Sequence, residues 1–158
     1  MSVATATRTH PILGCAREVR AALAAVGEVQ PVFMDTAQKQ TALVELAQAE
    51  AQLTELRLRV LAAADDIGQE SGARDAAAWL SHATRTDPAL SRADARLAKA
   101  LEIRTTVAAG LRTGQVTAAQ ARVITNILSE LPTDLDPQLV QDAETTLVGY
   151  CDQFRPIE

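Results

Sequence analysis

The chain has 158 residues, enough for one core-forming domain, and is 47% hydrophobic but only 3% aromatic, so a core of Leu, Val, Ile and Ala between closely spaced helices is expected. A net charge of −5 argues against attraction to nucleic acid over the whole surface. Two cysteines, Cys15 and Cys151, and two histidines, His10 and His82, show no ligand spacing, which speaks against a disulfide framework or a structural zinc site.

No apolar run approaches the ~18 residues that span a bilayer, so a cytoplasmic protein with no membrane partner is expected. Ile12 to Cys15 loosely resembles a lipoprotein cleavage box, but polar residues precede it where an apolar signal region would stand. Residues 1–10 are polar and Thr-rich and read as a disordered tail. One all-α domain is expected over residues 11–154, a bundle of about six or seven helices. Residues 155–158 read as an exit segment.

Pro11 suits a first helical turn, and Ile12, Ala16, Val19, Leu23 and Val26 recur at three- and four-residue steps up to Gly27. Pro31 interrupts the chain. Asp35 and Gln38 have the spacing of a capping box, and a spine helix of about 32 residues is predicted from there to Ile67, with Gly68 as its stop. Leu46, Ala49, Leu53, Leu56, Val60, Ala63 and Ile67 form a heptad seam edged by Glu45, Glu50, Gln52, Arg57 and Arg59. Two readings compete. The seam packs inside its own chain, or it pairs with a second copy, with Leu46, Leu53, Leu56, Val60 and Ile67 as interface candidates.

Asp75 is placed to cap a short helix over residues 76–83 that carries Trp79 and Leu80 into the core. Thr86-Asp87-Pro88 reads as a turn, and Ser91 with Asp94 as the cap of the next helix, which runs to about Arg104. At 100° per residue, Leu90, Leu97 and Leu101 lie on one side of it. Arg92, Arg96, Lys99 and Ile103 lie on the other, so three cations form a stripe. A helix over residues 105–112 is expected to end at Gly114. Thr117 and Gln120 form a further capping box, and that helix turns Val123, Ile124, Ile127, Leu128 and Leu131 inward. Asp136-Pro137 starts the last helix, with Leu139, Val140, Ala143, Leu147 and Tyr150 as its apolar face.

Chemistry is scarce. There is no P-loop, no dinucleotide glycine pattern and no nucleophile elbow. The adjacent Asp65 and Asp66 would not face each other on a helix. No catalytic residue, metal, cofactor or small-molecule substrate is expected. The basic stretch 71–125, set between acidic flanks, holds two short helices joined by a turn over Thr84 to Leu90. That is the outline of a helix-turn-helix, and Arg92, Arg96 and Lys99 are the candidates for contact with double-stranded DNA. The competing reading is an exposed face with salt links to Asp94 and Glu102. Arg74 is expected to be buried beside a carboxylate.

Four landmarks carry a family resemblance. They are Gly72-Ala73-Arg74, Ala77-Ala78-Trp79-Leu80, Leu90-Ser91 with Ala93 and Ala95, and Leu111, Gly114, Thr117, Ala121-Arg122 and Ile124. In this order they resemble the helical N-terminal domain of unknown function of the 13E12-repeat proteins, over about residues 30–152. The resemblance implies an N-terminal module that in longer relatives, which are linked to mobile DNA, precedes an HNH nuclease domain. With the basic helix face added, a non-catalytic DNA-associated module is expected, the alternative being an interaction or homodimerisation domain built on the heptad seam. The sequence up to Glu158 contains no HNH motif, so the resemblance carries over no catalytic residue.

Overall fold

A computed structural model describes residues 9–154. The predicted tail therefore lies mostly outside the described residues, as does the segment 155–158. Among the described residues the fold is all-helical, with eight α-helices rather than six or seven: α1 (Pro11–Ala25), α2 (Thr36–Ala62), α3 (Asp65–Ser71), α4 (Ala76–Thr84), α5 (Pro88–Ile103), α6 (Thr105–Thr113), α7 (Ala118–Ser129) and α8 (Pro137–Tyr150). A 3-10 turn spans Pro31–Phe33. The chain divides into two compact units, Met1–Gln40 and Thr41–Glu158.

In the first unit, the His10 ring nitrogen accepts the Ile12 N–H at 3.3 Å and Pro11 takes the first helical position, which starts α1 as the sequence predicts. No residue of α1 is buried. The predicted capping box also forms: Gln38 N–H donates to Asp35 at 2.8 Å, and Asp35 N–H donates to the Gln38 side chain at 3.0 Å.

The second unit holds the core: Leu58, Leu97, Leu101, Val107, Leu111, Val116, Ile124, Leu128 and Val148, filled in by alanines. Small residues let the backbones approach. A Cβ on Gly110 would stand 2.5 Å from Val116, and one on Gly114 would stand 2.8 Å from the side chain of Gln48. Gly114 also takes a left-handed φ of 80°, ending α6 where the sequence places its stop.

Two helix ends are closed by side chains from elsewhere in the chain. α6 follows α5 after Arg104 alone and has no side-chain cap of its own. Glu144, buried in α8, supplies one by accepting the N–H groups of Thr106 at 2.8 Å and Val107 at 3.0 Å. Gln120 completes the capping box of α7 with Thr117, and its amide also donates to the carbonyls of Cys151 and Phe154 beyond α8.

Several expectations are corrected. The spine helix stops at Ala62, and α3 starts at Asp65 with two aspartates in its first turn, a favourable place for negative charge. Gly68 does not end a helix; it lies inside α3, where a Cβ would meet Asp75 Cα at 3.1 Å. α5 begins at Pro88 and is capped by Asp87 through the Ala89 N–H, four residues before the predicted cap Ser91. Ser91 and Asp94 instead sit on its buried face, which turns Leu90 outward. Trp79 is 39% exposed, because α4 packs through the smaller Ala76, Ala77 and Ser81. Val123, Ile127, Leu139 and Tyr150 are exposed as well, since Gln120, Thr125 and Glu144 take inward positions on their helices.

Glu144→Ala is expected to destabilise the protein by about 2–3 kcal/mol, the scale of charge-assisted bonds lost from a buried site. Glu144→Gln, which keeps an acceptor oxygen, is expected to cost less. Urea unfolding followed by circular dichroism measures both.

Candidate functional site

The second unit presents two candidate surfaces, and one charged cluster relates both to the core. Glu55 on α2 is buried and accepts Arg59 at 3.2 Å and Arg112 of α6 at 2.9 Å. Asp94 on α5 is buried and accepts Arg57 of α2 at 2.9 Å and Arg122 of α7 at 2.6 Å. Each carboxylate is satisfied twice, as a buried charge requires. The sequence reading passes over Glu55, and takes Asp94 for part of a helix cap or a salt link of the stripe rather than a buried anchor between helices. The available signal is a glutamate at position 55, one turn from the inward Ala51 and Leu58.

This cluster defines the inward face of α2: Ala51, Glu55, Leu58, Leu61 and Ala62. At 3.6 residues per turn, Leu46, Ala49, Leu53, Leu56 and Val60 centre about 180° away. Leu46, Leu53 and Val60 are 61%, 44% and 43% exposed, and Leu56 is half-buried. α2 therefore has two apolar faces, and the core uses the one that is not the heptad seam. Ile67 does not share that seam, because it sits on α3, where it packs against the core.

The basic stripe of α5 is split in two. Lys99 Nζ donates to the Ala62 carbonyl at 3.0 Å, with Asp65 at 3.4 Å and Glu102 at 3.7 Å, so it caps the C-terminus of α2. Arg92 and Arg96 are exposed and, among the described residues, have no ion-pair partner. They line a groove of about 340 Å³ whose wall also holds Arg74, Asp75 and Asp65. Of the two salt links expected for this face, the one to Glu102 forms and the one to Asp94 does not, since Asp94 is held by Arg57 and Arg122. Arg74 pairs with Asp75 at 3.0 Å but is exposed rather than buried.

The connection between α4 and α5 is shorter than the expected Thr84 to Leu90. Only residues 85–87 lie between the helices. Arg85 takes a left-handed φ of 55°, while Ser81 and Thr86 exchange hydrogen bonds across the turn. Three residues is the connection length of a helix-turn-helix.

Among the described residues no cluster of three His, Cys, Asp or Glu side chains could hold a metal ion. No described helix is long and apolar enough to cross a membrane. Cys15 is exposed, and Cys151 is half-buried, its thiol pushed up by burial.

Asp75 caps α4 by accepting the Ala78 N–H at 2.7 Å, and this bond, followed by the one from Arg74, holds its carboxyl below the ordinary value of 3.8. Because the folded value is the lower one, the stabilisation is fully present above the ordinary value and disappears as pH falls through the folded one. Asp75→Asn is expected to flatten the fall in melting temperature below about pH 4. Thermal unfolding of both proteins across the acid range measures the difference.

Comparison with known proteins gives one finding. The family model described as "Domain of unknown function (DUF222)" matches residues 36–158, and the chain belongs to that family. The match begins at the first residue of α2. No curated protein and no solved structure matches the chain.

Proposed function

We propose that this member of a family of unknown function is a non-catalytic assembly module that pairs with a second copy of itself through the outward seam of α2. One observation carries the reading: the heptad face of α2, with Leu46, Leu53 and Val60, lies opposite the face that the core consumes and stays exposed. A regular apolar stripe with polar edges on an exposed helix needs a cover, and a heptad spacing suits another helix. The resemblance to the N-terminal domain of 13E12-repeat, HNH-associated proteins fits this role, as an assembly part standing ahead of a nuclease part.

A second reading keeps double-stranded DNA as a partner of α5. It is favoured by Arg92 and Arg96, which stand one turn apart next to a three-residue turn and have no ion-pair partner among the described residues. It does not include Lys99 as a free contact, because Lys99 is engaged at the end of α2. Under this reading, Arg92→Glu with Arg96→Glu abolishes duplex binding at low salt without changing the melting temperature. Lys99→Glu lowers the melting temperature instead. Absence of duplex binding by the wild-type chain at low salt would contradict it.

For the assembly reading, sedimentation velocity of the full chain is expected to show a monomer–dimer equilibrium. Leu53→Asp is expected to sediment as a monomer with unchanged helix content, since Leu53 is not part of the core. A wild-type chain that stays monomeric at high micromolar concentration would overturn the reading.

A further inference from the structure

The flanks of the seam carry information about how two copies would align. With Leu46, Leu53 and Val60 at a positions and Ala49 and Leu56 at d, one edge of α2 presents Glu45, Gln52 and Arg59 at g. The other edge presents Glu50 and Arg57 at e. All five residues are exposed. Charges at these positions set the orientation of paired helices.

In a parallel pair the twofold axis runs along the seam, so the g edge of one helix meets the e edge of the other, five residues further on. Glu45 would then face Glu50 of the second copy, twice, and Gln52 would face Arg57. In an antiparallel pair the axis is perpendicular to the seam, and each edge meets itself running the other way. The g edge then brings Glu45 towards Arg59 of the second copy, and the e edge brings Glu50 towards Arg57 of the second copy. Both contacts are centred near Leu53 and both are repeated by symmetry. One alignment brings like charges together, whereas the other pairs every charge on the two edges.

We infer that α2 pairs antiparallel with a second copy of this chain, Glu45 and Glu50 of each copy facing Arg59 and Arg57 of the other. The inference rests on the assembly reading above and adds the orientation of the partner. Glu45 and Glu50 have no cation partner among the described residues. Arg57 and Arg59 each direct one terminal nitrogen to a carboxylate of their own chain and remain about half exposed, at 49% and 52%. A guanidinium has five N–H donors, so an outward pair is compatible with the inward one. A self-complementary edge pattern of this kind fits a second copy better than an unrelated helix.

A single charge reversal separates the two alignments by sign. In the antiparallel pair, Glu45→Lys turns two attractions to Arg59 into repulsions, so the dimer dissociation constant is expected to rise roughly fivefold at low salt, on the scale of exposed ion pairs. In a parallel pair the same change converts a Glu–Glu repulsion into a Lys–Glu attraction, and the constant would fall. Glu50→Lys has the same expected sign, through Arg57. Sedimentation equilibrium of the full chain under reducing conditions reads all three proteins, and the differences should shrink in high salt. Tighter association, or no change, in both variants would overturn the antiparallel alignment while leaving the pairing intact. A wild-type dimer that Leu53→Asp does not dissociate would instead overturn pairing through the seam.

Discussion

Two buried carboxylates govern how the second unit packs. Glu55 and Asp94 are almost wholly removed from water, and each is tied to two arginines. Rotating α2 by half a turn would strand Glu55 away from Arg112 and pull Arg57 from Asp94. Leaving a buried charge without its partner typically costs about 3–5 kcal/mol. The rotation of α2 about its axis is therefore held by charge geometry as well as by Leu58 and Leu61. The regular heptad face is left on the outside as a consequence.

The same economy recurs at the helix ends. With few aromatics, the core gains little from large side chains and depends on close approach at Gly110 and Gly114. Where only Arg104 separates α5 from α6, no local cap forms, and a remote side chain takes its place. Remote groups serve three such positions, with Glu144 at the start of α6, Lys99 at the end of α2, and Gln120 beyond the end of α8. Lys99 shows how this bears on function. A lysine that reads as a surface cation on a helical wheel is committed to a backbone carbonyl and two acids, which leaves Arg92 and Arg96 as the cations of that face with no ion-pair partner among the described residues.

Local signals in the sequence are largely legible. Asp35 with Gln38, Asp75, Thr117 with Gln120, and Asp136-Pro137 all mark true helix starts, because a cap is a contact within three residues. Asp87-Pro88 carries the same signal as Asp136-Pro137 but also suits a turn, and the turn reading displaces the start of α5 and lengthens its connection to α4. The break after Ala62 is illegible, since residues 62–64 are all alanine and nothing local disfavours a helix there. Gly68 misleads because a glycine needed for close approach to Asp75 looks, in sequence, like one needed for a helix stop. The choice of face on α2 is beyond local reading altogether. The heptad face is the more regular and more apolar of the two, and only the long-range partners of Glu55 and Arg57 place the other one inward.

The central claim is that α2 serves two different covers, its own core on one face and a second copy on the other. It is tested most directly by comparing Leu58→Ala with Leu53→Ala in urea unfolding at concentrations where the chain is monomeric. Leu58 is fully buried, and its truncation is expected to cost about 2–5 kcal/mol. Truncating Leu53 is expected to cost less than about 1 kcal/mol under those conditions, as for an exposed position. Equal costs at the two positions would place the seam in the core of the monomer and contradict the claim.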